Sequence, residues 1–240
     1  MFLKSLINRI KYQKGIAVLM YHSIGYNGVT FTVKPEEFDQ QMKYLADNYY
    51  SVISFEKLVN IVSQKTDIPE KTVVLTFDDG YRDFYEFAWP ILKKYRFPAT
   101  VFVSAGLVSQ KLMTSEKIDL PILTWDQLKK LHNSGVDIQS HGLNHNKLDQ
   151  LSEAEIEYEI VKSKKLLETK LHKKCYYFAY PKGRFNKQVV ELLKQNGFKA
   201  ARSLKGGLVN KKSNLFDLEK MSVNSQTTLN KFKNILCGIY

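Results

Sequence analysis

The chain of 240 residues is poor in cysteine and contains no long apolar run and no low-complexity segment. Its two cysteines, Cys175 and Cys237, are too few for a disulfide framework and do not have metal-site spacing, so both are predicted to be structural thiols. No segment approaches the length of a membrane span. Residues 1–14 lack the continuous apolar core of a secretory signal, and we therefore expect the protein to stay in the cytoplasm.

Acidic residues are scarce relative to basic ones. The sequence has 36 Lys and Arg against 24 Asp and Glu, which gives a formal net charge of +12. This excess favours nucleic acid, anionic lipid or an acidic glycan as a partner. Because no DNA- or RNA-binding motif accompanies the charge, we expect no nucleic-acid partner.

The N-terminal segment, residues 1–14, interrupts apolar side chains with basic ones, namely Lys4, Arg9, Lys11 and Lys14. This spacing is typical of a short amphipathic helix whose basic face can rest on an anionic membrane surface. A helix that only closes the bottom of the fold is the alternative. The segment is treated as separate from the single domain predicted for residues 15–240.

Strand and helix patterns alternate from residue 16 onward without a linker or an internal repeat. This alternation predicts an α/β fold in which βα units surround a parallel sheet. Seven or eight strands are expected, depending on whether residues 218–223 join the sheet. Capping boxes predict helix starts at Thr124 and Ser152, and Pro90 is expected to break or kink a helix over residues 84–95.

The predicted strand over residues 72–76 leads into two carboxylates, Asp78 and Asp79, followed by a turn at Gly80. Its apolar, mostly β-branched core indicates a strand covered on both faces, which delivers the following residues to the catalytic edge of an α/β sheet. Adjacent residues of an extended segment point in different directions, so one carboxylate can bind a metal while its neighbour acts as a base. The alternative is a turn in which both side chains cap backbone N–H groups.

Two histidines four residues apart lie in the stretch 140–145, Ser-His-Gly-Leu-Asn-His, after a second strand-like run. On a helical turn or a tight loop this spacing puts both imidazoles on one side. Together, Asp79, His141 and His145 would offer one oxygen and two nitrogens and leave a position open for water, as catalytic zinc sites do. Without the carboxylates, two surface or helix-end histidines would be the simpler interpretation.

Residues 76–80 (Thr-Phe-Asp-Asp-Gly) and 140–145 resemble the first two motifs of the polysaccharide deacetylases, the NodB homology domains of carbohydrate esterase family 4. Residues 18–22 (Val-Leu-Met-Tyr-His) and 178–183 (Phe-Ala-Tyr-Pro-Lys-Gly) extend the resemblance, in the family's order, over roughly residues 15–223. The Tyr-His pair is similar to that of one subgroup. The resemblance implies a distorted (β/α) barrel of about seven strands that binds one divalent metal ion, with zinc as the expected metal.

The resemblance also implies a reaction, removal of N-acetyl groups from amino sugars, and a role for each matching residue. Asp79, His141 and His145 would hold the metal ion, which activates a water molecule as the nucleophile. Asp78 would take a proton from this water as general base. The backbone N–H of Lys182, just after the proline of the third motif, would help to hold the oxyanion.

Three further residues have predicted roles near the substrate. His22 is the expected proton donor, by resemblance to the Tyr-His subgroup, although a strand-end histidine bonded to backbone is the alternative. Tyr180 is expected to contact the substrate. Trp125 would be either a stacking platform for a sugar ring or a hydrophobic staple at the start of its helix.

The sequence departs from the family pattern at three places. Gly142 replaces the usual Ser or Thr after the first metal histidine, and the C-terminal Leu-x-His that supplies the usual acid is absent. Ala179 replaces an arginine that orients the catalytic aspartate, and Arg82, Arg184 or Arg202 are candidates to substitute for it. A barrel that binds glycan without hydrolysing it is therefore kept as a rival hypothesis, and the net charge of +12 supports a second rival, a basic protein that binds a membrane surface or nucleic acid.

The expected substrate is an N-acetylated glycan or a lipid- or nucleotide-linked sugar, since all of these carry the same acetamide. A cytoplasmic enzyme would meet the linked precursors of a surface glycan there. Its basic N-terminal face would then hold it reversibly against the anionic inner leaflet of the membrane.

Overall fold

The computed structural model describes residues 15–239, which form one domain built of parallel strands and surrounding helices. The strands in chain order are β1 (Ala17–Tyr21), β2 (Ser23–Ile24), β3 (Thr32–Val33), β4 (Ser51–Ile53), β5 (Thr72–Phe77), β6 (Thr100–Val103), β7 (Lys111–Met113), β8 (Asp119–Pro121), β9 (Asp137–Ser140), β10 (Tyr177–Ala179), β11 (Ala200–Gly206) and β12 (Leu218–Ser222). The helices are α1 (Pro35–Asp47), α2 (Phe55–Gln64), α3 (Trp89–Tyr95), α4 (Trp125–Asn133), α5 (Glu153–Leu171), α6 (Lys187–Gln195) and α7 (Leu229–Leu236). The predicted N-terminal amphipathic helix lies outside the described residues.

Seven parallel strands close into a barrel in the order β1, β12, β11, β10, β9, β6 and β5, and pairing of β5 with β1 completes the ring. The predicted distorted (β/α) barrel is therefore confirmed, and the strand at Leu218–Ser222 belongs to it. The eighth strand, β4, pairs with the first half of β5, whereas β6 pairs with its second half. This insertion at one end of the ring is the main irregularity of the barrel.

Alternation along the strands divides the apolar side chains into an inner and an outer layer. On β1, Ala17 and Leu19 pack with the helices around the barrel, whereas Val18, and Ile16 just before the strand, belong to a separate inner cluster. Helix α2 contributes Phe55 to that inner cluster, because it covers the amino-terminal end of the barrel. The opposite end is left open for polar groups at the carboxyl ends of the strands.

Helix starts follow the predicted capping residues. The Thr124 hydroxyl accepts a hydrogen bond from the backbone N–H of Gln127, and Ser152 forms the predicted capping box at α5. Pro90 lies in the first turn of α3. A π-helix at Phe84–Ala88 precedes it, so the predicted break occurs as a change of helix type.

Within residues 15–239, no helix is both long enough and apolar enough to cross a membrane.

Asp83, which precedes the π-helix, is an acid shielded from solvent under the segment that follows β1. Its Oδ2 accepts a hydrogen bond of 2.5 Å from the Ser23 hydroxyl. Its Oδ1 is buried and has no hydrogen-bond partner among the described residues. Burial raises the pKa of Asp83 to about 7, although the hydrogen bond from Ser23 favours the charged form. The folded protein therefore holds this proton more tightly than the unfolded chain does.

This raised pKa predicts a pH-dependent effect of Asp83→Asn on stability. The protonated Asp83 side chain adds to the free energy of unfolding. This stabilisation is fully present below the ordinary pKa of 3.8 and is lost as the pH rises through about 7. Because asparagine does not titrate, the stability of the variant relative to the wild type should increase by about 1–3 kcal/mol between pH 5 and pH 8. Urea unfolding of both proteins at the two pH values measures this, and a pH-independent difference would contradict it.

Candidate active site

The carboxyl ends of the barrel strands surround a cleft of about 760 Å³. Five of the predicted catalytic and metal-binding residues line it together, namely Asp78, Asp79, His22, His141 and His145, and Tyr180 and Lys182 lie at its edge. The long segment between β6 and α4 forms one wall through the hairpin β7–β8. The cleft thus gathers residues from strands that are distant in the sequence, as the parallel topology requires.

Asp79, His141 and His145 form a compact group at the centre of the cleft. Asp79 Oδ1 lies 3.2 Å from His141 Nε2 and 3.1 Å from His145 Nε2. One potential ligand atom from each residue lies within 4.8 Å of the other two. Asp79 and His145 both have positive φ angles, so a tight turn and a tight loop, rather than a helix, present the three side chains.

The hydrogen bonding of His141 fits a cation at the centre of this group. His141 Nδ1 lies 2.8 Å from the carbonyl oxygen of Ala179, and this contact requires the nitrogen to donate its hydrogen. In a neutral imidazole, Nε2 then presents a lone pair to Asp79 Oδ1, which is buried and accepts no hydrogen bond from a described residue. Because two electron-pair donors face each other here, a divalent metal ion between them matches the chemistry of the residues.

Glu159 of α5 holds the loop that carries both histidines, and sequence reasoning missed it. The side chain is only 3% exposed. Its Oε2 accepts hydrogen bonds from the backbone N–H groups of Leu143 and Asn144, at 2.9 Å each. Its Oε1 accepts from the side-chain amides of Asn144 (2.8 Å) and Asn146 (3.0 Å). The loop that lacks a hydroxyl at Gly142 is therefore fixed by a carboxylate from a neighbouring helix.

Replacing Glu159 with glutamine is expected to weaken metal binding by about 10–100-fold, the usual cost of losing a group that orients metal ligands. The amide keeps the size of the side chain but turns an N–H₂ donor toward the donors of the loop. Competition with a chromophoric chelator measures the affinity. Glu157→Gln, an exposed position on the same helix, is the matched control. Equal metal affinity of the two variants would show that Glu159 does not position the ligands.

Asp78 forms a buried ion pair with Arg202 of β11. Arg202 Nη2 donates to both carboxylate oxygens of Asp78 at 2.5 Å, and the arginine is 1% exposed. Its Nη1 donates to the Ser203 carbonyl at 3.1 Å, which fixes the guanidinium plane. Burial is the largest single influence on Asp78 and opposes its ionisation, but the charges of Arg202, His141 and His22 and the hydrogen bonds from Arg202 together outweigh it and lower the pKa of the carboxyl. Asp78 is therefore an ionised carboxylate at neutral pH.

This pair identifies which arginine replaces the one missing at Ala179. Arg184 instead binds Asp149, with a nitrogen–oxygen distance of 2.8 Å. Arg82 pairs within its own helical turn and does not reach the aspartates. Only Arg202, of the three candidates, contacts Asp78.

His22 and Tyr180 lie on the wall of the cleft. The His22 ring lies 5.1 Å from the ring of Phe31, and burial lowers the pKa of His22, against the opposing effect of Asp79 and Asp78. Tyr180 stacks on Phe185 with ring centroids 4.2 Å apart. Its hydroxyl donates to a backbone carbonyl, so only an edge of the residue faces the cleft.

Lys182 and Trp125 have different positions. Lys182 lies in the turn Pro181–Gly183 with a φ of 54°, at the rim of the cleft. Trp125 does not line the cleft and packs against the outer apolar layer at the start of α4. The structure therefore brings together all the predicted site residues except Trp125, whose position matches the staple alternative.

Comparison with known proteins finds relatives of one kind. A family model described as polysaccharide deacetylase matches residues 65–201. The chain is 31% identical over 208 residues to YxkH of Bacillus subtilis (strain 168), named for the same family, covering 87% of this chain and 71% of that protein. It is 28% identical over 202 residues to the poly-beta-1,6-N-acetyl-D-glucosamine N-deacetylase of Staphylococcus aureus (strain MSSA476), covering 80% of this chain and 68% of that protein.

Among solved structures, the Streptococcus pyogenes deacetylase PplD in complex with acetate superposes with a TM-score of 0.82 at 30% sequence identity. The match covers 92% of this chain and 98% of PplD. The sequence and structural comparisons therefore both find deacetylases.

Proposed function

Because the chain belongs to the polysaccharide deacetylase family, whose members are hydrolases of carbon–nitrogen bonds in carbohydrates, we propose that it hydrolyses the acetamide of an N-acetylated amino sugar. The substrate is a polysaccharide or a glycan precursor. The observation that carries the proposal is the group Asp79, His141 and His145 beside an ionised Asp78. These four intact residues argue against a barrel that only binds glycan.

Amide hydrolysis needs a nucleophilic water, a site for the oxyanion charge and a proton for the departing amine. A divalent metal ion held by Asp79, His141 and His145, with zinc as the expected metal, would polarise the acetyl carbonyl and acidify a water molecule. Asp78, held by Arg202, takes the proton from the attacking water.

Two residues on the wall and rim complete the reaction. The backbone N–H of Lys182 donates to the oxyanion, as the third family motif implies. His22 donates a proton to the departing amine, and the lowered pKa of His22 makes its protonated ring a stronger acid. Tyr180 borders the site where the sugar enters.

Acetate release from a panel of N-acetylated glycans tests the reaction and the substrate class together. The panel contains chitin oligomers, peptidoglycan fragments, poly-beta-1,6-N-acetyl-D-glucosamine and nucleotide-linked N-acetylhexosamines. The relative from Staphylococcus aureus supports including the third compound. We expect release from at least one, and no release from any of them would contradict the proposal.

We also propose that the protein resides in the cytoplasm, at the inner face of the membrane. The basic residues of the segment 1–14 support this, at about 1 kcal/mol for each well-placed Lys or Arg. Cells expressing the full chain, or a version that starts at Gly15, can be fractionated at low and high salt. Only the full chain should sediment with membranes, and high salt should release it. Recovery of either version from the medium or periplasm would contradict cytoplasmic residence.

A further inference from the structure

The two sides of the cleft differ in charge. Strands β9, β10 and β12, which lie on one arc of the barrel, contribute three lysines through their ends or following loops: Lys147, Lys182 and Lys220. The opposite arc and the hairpin β7–β8 contribute mainly aromatic and apolar side chains: Phe31, Tyr81, Leu112 and Met113. A bound sugar therefore has a cationic wall on one side and an apolar wall on the other.

The two outer lysines are available to a ligand. The side chains of Lys147 and Lys182 are exposed and form no hydrogen bond or ion pair with any residue in the described range 15–239. Asp149, two positions after Lys147, pairs with Arg184 at 2.8 Å instead, and the Glu159 carboxylate is taken up by the histidine loop. Their charges are therefore not neutralised within the described part of the molecule.

The interior of the cleft does not compensate for this charge. Among residues 15–239, the acids that line it are Asp78 and Asp79; the first is neutralised by Arg202 and the second belongs to the metal-binding group. Lys220 is 9% exposed and donates to the Ser222 hydroxyl at 2.5 Å, which holds its ammonium group in the wall. The field on this side of the cleft is thus positive.

We propose that the cleft takes an N-acetylated amino sugar that carries an anionic group, a phosphate or a carboxylate, on the side of Lys147 and Lys182. This inference rests on the proposed deacetylase function and specifies its substrate class. Lysine binds such groups as a flexible point charge, which suits a recognition site on an exposed rim. The same field disfavours a neighbouring sugar with a free ammonium group, so a unit next to one already deacetylated should react more slowly.

Three disaccharides that differ only at the reducing end test this inference on the metal-loaded protein. They are N,N′-diacetylchitobiose, its 1-phosphate and the corresponding aldonic acid, which are neutral, phosphorylated and carboxylated. Acetate release gives kcat/KM for each, and isothermal titration calorimetry gives the binding constants independently of turnover. The same measurements on Lys147→Gln and on the double variant Lys147→Gln/Lys182→Gln show which charges matter. Lys129→Gln, at an exposed position on α4, is the matched control.

The expected result is a preference of about tenfold for one or both anionic compounds, which decreases as salt is added and is reduced severalfold in the double variant but not in Lys129→Gln. A preference for one anion alone identifies the recognised group, and an equal preference for both shows that the site recognises the negative charge itself. Equal binding and turnover of all three compounds, or a preference unaffected by the lysine substitutions, would overturn the inference while leaving deacetylation intact. Binding of the anions without any acetate release would instead contradict the proposed function.

Discussion

Replacing Asp78 with asparagine is expected to lower kcat by about 10²–10⁴-fold, the range for removal of a general base. The variant should still bind one metal ion, because the ligands are Asp79, His141 and His145. Its stability should fall by about 3 kcal/mol, since Arg202 would lose its counter-charge in a buried position. Acetate release, metal stoichiometry and urea unfolding measure these three effects.

The double variant Asp78→Asn/Arg202→Met separates catalysis from stability. Methionine at position 202 removes the buried charge and packs beside Met20 and Phe102, which already contact the arginine. We expect the double variant to regain part of the lost stability but none of the lost activity. Loss of metal from Asp78→Asn would mean that the roles of Asp78 and Asp79 are reversed.

The second large effect is expected from His141→Ala. This substitution removes one of three ligands and the hydrogen bond that fixes the ring on the Ala179 carbonyl. Metal stoichiometry should fall well below one per chain, and acetate release should fall with it. Metal analysis after gel filtration measures the stoichiometry. His132→Ala, a histidine on α4 outside the group, is the control and should retain the metal; undiminished stoichiometry in His141→Ala would contradict the assignment of the ligands.

The barrel and the metal-binding group were predictable because their signals are local. A continuous apolar run such as Thr72–Phe77 indicates a strand buried on both faces, and its carboxyl end must lie at the edge where other strands end. The two histidines follow another strand, so the parallel topology alone places them near Asp79. Capping residues such as Thr124 likewise act within one helical turn.

The supporting residues were not predictable because they act through contacts distant in the chain. Arg202 lies 124 positions after Asp78, and three arginines were equally plausible until the barrel placed one of them inside. In the sequence, Glu159 looks like an ordinary helix residue. The signal that could have revealed its role is its position beside Ile156 and Ile160, which places an acid on the inward face of the helix. For Trp125 the local signal was clear but did not decide the position of the side chain. A capping box is compatible with a tryptophan that packs against the core and with one that faces a cleft.

The central claim is that this cleft is a metal-dependent deacetylase site, and one measurement addresses it directly. Acetate release from the best substrate of the panel is followed in wild-type protein before chelation, after removal of metal, and after return of one equivalent of zinc. We expect release to stop when the metal is removed and to recover when it is returned, with no recovery in His141→Ala. Undiminished release from protein shown to be metal-free would contradict the account.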